Sequence, residues 1–231
     1  MFIDSDDYIS KDCIYKMYQQ AKKEDLDILV SDYYEDHSGT LKKVDISDFE
    51  ISNLRTNPSL INKINLGPCN KIYKRSLINN NHICFEEKLK YEDAPFVCLA
   101  FCVAQKIGKI NDYLSYYVIH EKSETTSRNE KIFDIIKIVD KIVKTMDSYD
   151  YLDEPKINLA VMILTDYTIQ TRYMYQKQIR NKFINEAFDY LYQLDNNWKK
   201  SQYLKKFPLL KRFVKTNKIL TKVYCTLYPK N

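Results

Sequence analysis

The chain has 231 residues, 45% of them apolar and 29% charged, a length and composition that support a buried core and argue against disorder. Only 3 Gly stand against 20 Tyr, which leaves little material for a glycine-rich phosphate loop, and neither GxGxxG nor GxxxxGK[ST] occurs. The net charge of +5 hides an asymmetry: residues 171–231 carry 14 Lys and Arg against Glu186, Asp189 and Asp195, a local charge of +11 that leaves −6 on the first 170 residues.

The opening stretch, MFIDSDDYIS, reads as the end of a strand: Phe2 and Ile3 deliver Asp4, Ser5, Asp6 and Asp7 to the carboxyl end, where open α/β sheets place their ligands. Ser10 can cap a helix whose apolar positions Ile14, Met17, Tyr18 and Ala21 recur at helical spacing through Lys23. LDILVSDYYE is a short buried strand, DHSGTLKK a turn, and residues 45–65, with Pro58 and several Asn, short helix and loop. Gly67 and Pro68 turn the chain into a brief strand within CNKIYKRSLI, and Ser76 can cap a short helix. YEDAPFVCLAFCVAQ is helical through Phe96, Val97, Ala100, Phe101 and Ala104 and ends before Gly108; KINDYLSYYVIH is strand-like. Beyond Ser127 the pattern is helical alone, over 132–146, 158–175 and 183–194, with a last helix after Pro208. This order predicts an α/β domain over residues 1–128 and a helical, basic region over 129–231.

Six cysteines form no CxxC pair and have no His at ligand spacing, so a zinc site is not indicated and the chain reads as reduced and cytoplasmic. The acids at the amino terminus stand where a signal peptide needs a basic region, and no run of eighteen apolar residues occurs.

Three constellations carry chemistry. Asp4 and Asp6 are oxygen donors suited to a hard divalent cation, or a solvated acidic turn; an EF-hand is excluded, because the central Gly is missing and Tyr15 stands where the closing Glu belongs. Glu92 and Asp93 begin a helix, where acids favour the dipole or where one can serve as a general base. His120 ends a strand as a structural residue or as a metal or phosphate ligand, with Lys122, Ser123 and Arg128 as further donors for an anion.

Taken in order, FIDSDDYI, CNKIYKRSLI, YEDAPF and INDYLSYYVIHEKSETTSR resemble the carboxyl-terminal half of the family 2 glycosyltransferases of GT-A fold, which build bacterial capsules and cell-wall glycans; the resemblance runs from Phe2 to about Arg128. It implies a divalent cation, Mg²⁺ or Mn²⁺, at Asp4 and Asp6 with His120 nearby. It further implies a donor diphosphate met by Asp4, Ser5, Lys122, Ser123 and Arg128. Asp93 is then the base that deprotonates the acceptor hydroxyl, with Glu92 as the alternate, and Asn70, Lys71 and Tyr91 lie on the acceptor side. The implied reaction is an inverting single displacement from a nucleotide sugar, a UDP-sugar by expectation, to a glycan or lipid-linked acceptor. Members of that family carry a nucleotide-binding half of roughly a hundred residues ahead of the metal motif. This chain starts at the motif, so it reads as an N-terminally truncated, partial GT-A domain followed by an α-helical tail. The different class of reading is a catalytically inactive module that docks on a membrane or on a partner glycosyltransferase.

The tail FPLLKRFVKTNKILTKVYCTLYPKN, read as one helix, puts Leu210, Phe213, Val214, Asn217, Leu220, Val223, Tyr224 and Leu227 largely on one face and Lys211, Lys215, Lys218 and Lys222 on another. That pattern suits a peripheral helix at an anionic membrane, or a packed helix with a solvated cationic face; no nucleic-acid motif accompanies it.

Overall fold

The structure, a computed structural model, describes residues 1–87, 89–119, 130–174 and 176–229. It divides into two compact units, Met1–Glu87 with Glu92–Thr126, and Lys88–Tyr91 with Ser127–Asn231.

In the first unit, β1 (Tyr8–Ile9), β2 (Ile28–His37), β3 (Thr40–Val44), β4 (Lys71–Tyr73) and β5 (Ile107–Val118) form one sheet in the order β1-β5-β2-β3, with β4 also on β2. β2 and β5 run parallel and the other pairs antiparallel. β2 is central because Ile28, Leu29 and Val30 are apolar on both faces and fully buried. Its partner register on β5 jumps from Ile110 to Tyr113 across Ser31 and Asp32, a bulge that bends the pair. The expected turn is shorter than DHSGTLKK: Ser38 and Gly39 both have positive φ, the two-residue hairpin geometry, and β3 already starts at Thr40.

Helix α1 (Cys13–Glu24) packs on one sheet face through Cys13 and Met17 against Leu26, Leu29 and Leu114, with Ala21 partly buried. The stripe expected from the sequence is rotated: Ile14 and Tyr18 are 50% and 54% exposed, because the buried positions are the four-residue series that includes Cys13. Ser10 does not cap this helix; its hydroxyl donates to Asp12, which holds the N-cap position. Ser76 likewise lies inside α2 (Arg75–Asn80), whose N-cap is Lys74. α3 (Asp93–Val103) buries Phe96, Val97, Cys98, Ala100, Phe101 and Cys102, so it is apolar nearly all round and is a core helix.

The second unit holds α4 (Asp134–Ser148), α5 (Asp153–Gln170), α6 (Lys177–Leu194), α7 (Gln202–Lys205), α8 (Leu209–Thr216) and α9 (Lys218–Leu227). Its core takes Ile135, Ile138, Ile142 and Met146 from α4 and Phe183, Ala187, Phe188 and Leu191 from α6. Trp198 closes it, edge-on to Phe188 at 5.5 Å and to Tyr192 at 5.8 Å.

The single tail helix expected after Pro208 is two helices. Asn217 has extended backbone, and its side chain accepts from the amides of Ile219 and Leu220 at 3.0 Å each, capping α9 and ending α8. The cationic face is corrected as well: Lys215 is buried, its ammonium donating to Asp166, and Lys218 pairs with Asp189 at 2.6 Å. Large apolar residues face outward beside the exposed Lys211, with Leu210 at 80% and Phe213 at 60% exposure.

Candidate active site

The acidic loop is held by an aromatic anchor rather than by a ladder. Phe2 contacts Phe85 at 5.0 Å, Phe96 at 5.1 Å and Tyr73 at 5.9 Å, and Phe85 stacks on Phe96 at 4.2 Å. Phe2 and Ile3 are therefore not the paired strand expected from the sequence; the first ladder residue is Tyr8. The Phe2 ring instead fastens the loop to α3 and β4, the elements that supply the other site residues.

After Phe2 the chain turns, the Asp7 amide donating to the Asp4 carbonyl at 3.1 Å. Asp7 is further fixed by the Val118 amide, which donates to its Oδ1 at 2.9 Å. Asp4, Asp7 and Cys69 bring one ligand atom each within 4.8 Å of one another. The Cys69 thiol is pushed up to about 12, first by burial and then by Asp4, so it stays protonated and leaves the two carboxylates as the donors. An oxygen set of that size fits a small hard cation that also draws on substrate phosphates. Ser5 and Asp6 are exposed on the turn, and Asp6 stands outside the converging group.

Asp93 is the first residue of α3 and Glu92 its N-cap. Burial pushes the Asp93 carboxyl up to about 6, Glu92 and Asp4 add to the rise, and Lys71 opposes it. Lys71 is fully buried, and its ammonium donates to the Gly67 carbonyl and to Asn70 Oδ1, both at 2.6 Å. Burial brings it down to about 7, against the pull of Cys69 and Asp93. Asn70 in turn donates from Nδ2 to the Ser31 carbonyl at 2.6 Å, tying the start of β4 to β2. Tyr73 brings a buried hydroxyl that has no hydrogen-bond partner among the described residues, and burial holds its ionisation well above the ordinary tyrosine range. A carboxyl that titrates near neutrality, a buried amine and a pair of further carboxylates thus share one electrostatic neighbourhood, the combination that general acid–base chemistry uses.

Of the residues singled out from the sequence, the structure brings Asp4, Asp93, Glu92, Asn70 and Lys71 into this unit, whereas Tyr91 groups with the helical unit, its ring edge-on to Tyr167 at 5.2 Å. His120, Lys122, Ser123 and Arg128 lie outside the described residues. Sequence reasoning missed Asp7, Cys69 and Tyr73. For Asp7 the signal was present, since positions i and i+3 of a tight turn come together; for Cys69 and Tyr73, distant in sequence, there was none.

No family model matches the chain. A poly(ribitol-phosphate) beta-glucosyltransferase of Bacillus spizizenii is 33% identical over 134 residues, 55% of this chain and 20% of that protein. The uncharacterized glycosyltransferase EpsJ of Bacillus subtilis is 24% identical over 125 residues, 50% of this chain and 36% of that protein. Among solved structures, S. aureus TarS 1–349 in complex with UDP-GlcNAc superposes with a TM-score of 0.67 at 20% identity, covering 98% of this chain and 65% of TarS 1–349. The same fragment in complex with UDP gives 0.66 at 22% identity over 98% and 64%. The chain thus spans 20% and 36% of the two curated relatives and just under two thirds of TarS 1–349. Its relatives are glycosyltransferases, and its fold is the α/β GT-A fold it shares with TarS, followed by helices.

Proposed function

From a chain whose relatives are glycosyltransferases, we infer the metal and acceptor side of an enzyme that transfers a sugar from a nucleotide-sugar donor, a UDP-sugar, to a glycan or lipid-linked acceptor of a cell-wall polysaccharide. TarS has been solved with UDP-GlcNAc and with UDP, which supports the donor class. The observation that carries the reading is the half-buried Asp93 carboxyl, raised to about 6, in the field of Asp4 and Lys71. Above that pH Asp93 is ionised and takes the proton of the acceptor hydroxyl as it attacks; Glu92 is the alternate base. Lys71, a buried cation beside it, favours the ionised carboxylate. Asp4 and Asp7, with Asp6 of the Asp-x-Asp motif, would hold a divalent cation, which supplies positive charge against the diphosphate leaving group when bound. Ser5, His120, Lys122, Ser123 and Arg128 remain the proposed donor contacts, and Asn70 and Tyr91 the acceptor side. With base and leaving group on opposite faces of the sugar, the anomeric centre inverts.

The test is transfer from a UDP-sugar with Mg²⁺ present, in a protein that carries this chain, compared with its Asp93→Asn form. An amide keeps the shape and cannot accept the proton, so the rate is expected to fall roughly 10²–10⁴-fold with donor affinity kept. A near-normal rate would remove Asp93 from the role, and a larger loss for Glu92→Gln would exchange the pair.

The proposal includes peripheral docking on an anionic membrane through α8 and α9, supported by the exposed Leu210, Phe213 and Leu227 beside the basic tail. No helix among the described residues is long and apolar enough to cross a membrane.

A further inference from the structure

We propose that Tyr8, Tyr116 and Tyr34 form a docking row for a neutral glycan on the sheet face opposite α1, where it holds sugar units of the acceptor. The proposal rests on the glycosyltransferase reading only for the identity of the glycan as acceptor.

The row follows from register. Tyr8 pairs with Tyr116, Tyr116 with Tyr34, and Tyr34 with Lys43, so one line of side chains crosses β1, β5, β2 and β3. Ile9 packs into the core under α1, so alternation along β1 turns Tyr8 to the other face. The rings are stacked: Tyr8 on Tyr116 at 4.4 Å and 8°, and Tyr116 on Tyr34 at 5.1 Å and 16°. At the far end Tyr113 leans on Tyr34 at 5.0 Å, and the Lys43 ammonium covers the Tyr113 ring at 4.7 Å. That end is closed by a cation.

The Tyr8 end is open. Among the described residues β1 is the last strand of the sheet, and Tyr8 is 44% exposed. One ring face lies on Tyr116, and the hydroxyl donates to Asp36 Oδ2 at 2.8 Å, while Asp36 Oδ1 accepts from the Gly39 amide at 2.6 Å. The ring is thus fixed at its face and its tip before any ligand arrives, which removes part of the ordering cost of binding. A fixed aromatic face beside a carboxylate suits a pyranose ring: its C–H face lies on the aromatic and its hydroxyls donate to the acid. The carboxylate disfavours an anionic ligand there.

Cross-strand aromatic pairs also stabilise sheets, but that role is filled by Tyr116 and Tyr34 between two long strands. It does not call for a tyrosine on a two-residue edge strand. Position points the same way: β1 begins directly after Asp7, which accepts from the amide of Val118, two residues beyond Tyr116. A glycan on Tyr8 therefore reaches the acidic loop without leaving the sheet edge.

The experiment is saturation-transfer NMR and calorimetry on the whole chain with two uncharged probes, cellotetraose and chitotetraose, without donor or metal. At least one is expected to bind, with saturation strongest on the ring C–H protons. Tyr8→Ala should weaken binding roughly tenfold, the loss of one good stacking contact, whereas Tyr8→Phe, which keeps the ring, should stay within about threefold of wild type. Asp36→Asn keeps the rings and removes the acid, so it should also weaken binding; it serves as the second variant if Tyr8→Ala lowers the unfolding midpoint. The proposal is overturned if neither probe binds, if folded Tyr8→Ala binds as wild type does, or if the chain is a dimer that Tyr8→Ala dissociates, which would give the row to a second copy. Saccharide binding without any UDP-sugar binding in the same chain supports the row and counts against the donor reading alone.

Discussion

Asp93 ties function to stability at the level of one side chain. Its carboxyl is raised from 3.8 to about 6, first by burial, so between those values the folded chain holds a proton that the unfolded chain releases. Stability therefore declines as pH rises through that window, and the cost persists at neutral pH, where the base must be ionised. Asp93→Asn removes the charge, and its unfolding midpoint is expected above that of wild type at pH 7.5, with the difference vanishing below pH 3.8, as followed by far-UV circular dichroism. An equal or lower midpoint at pH 7.5 would mean that the ionised Asp93 carboxylate carries no net cost in the folded chain. In the same protein the rate is expected to rise with pH through about 6 and then level, because only the ionised form accepts a proton. At this scale the sequence told part of the story. Asp4 and Asp93 were legible because acids before a turn and at a helix start are informative by type. The burial of Lys71 was not, since lysine is ordinarily a surface residue and only the folded environment of Gly67 and Asn70 reveals where its ammonium lies.

Elements were legible where one local rule acted alone. The continuous apolar run of β2 and the periodic stretch of α3 gave their types directly, because burial on both faces leaves no competing pattern. Errors arose where a polar side chain chose between local partners. Ser10 took Asp12 instead of a helix amide, and Asn217, placed by periodicity inside an apolar stripe, took two amides and broke the helix. The second case yields a measurable consequence. Asn217→Ala removes both bonds and should destabilise the helical unit by about 1 kcal/mol, while a continuous helix through residue 217 would gain from alanine. Trp198, the single tryptophan, is buried in that unit, so its fluorescence in urea reports the change directly. A higher midpoint for Asn217→Ala would mean that α8 and α9 are one helix, as the periodicity implied.

Across the whole chain the charges separate, +11 over residues 171–231 against −6 before them. A basic surface next to exposed apolar side chains is drawn to anionic lipid by two additive effects, roughly 1 kcal/mol per lysine near the surface and the burial of apolar groups at the headgroup boundary. On the proposed membrane docking, the lysines that would act are not the four the sequence grouped together, because Lys215 is buried on Asp166 and Lys218 is paired with Asp189. Lys211 remains exposed, and the apolar contribution falls to Leu210 and Phe213, one helical turn apart on α8 and both outward. Sedimentation with phosphatidylglycerol vesicles is therefore expected to fall as salt rises, since screening shortens the reach of the exposed charges. Leu210→Asp with Phe213→Asp should abolish it while leaving Trp198 fluorescence and the unfolding midpoint unchanged, because neither side chain contributes to the core. Binding that survives both aspartates would place the contact elsewhere on the basic tail. A wild-type chain that ignores anionic vesicles at low salt would end the membrane reading, and the apolar face of α8 would then need a protein to cover it.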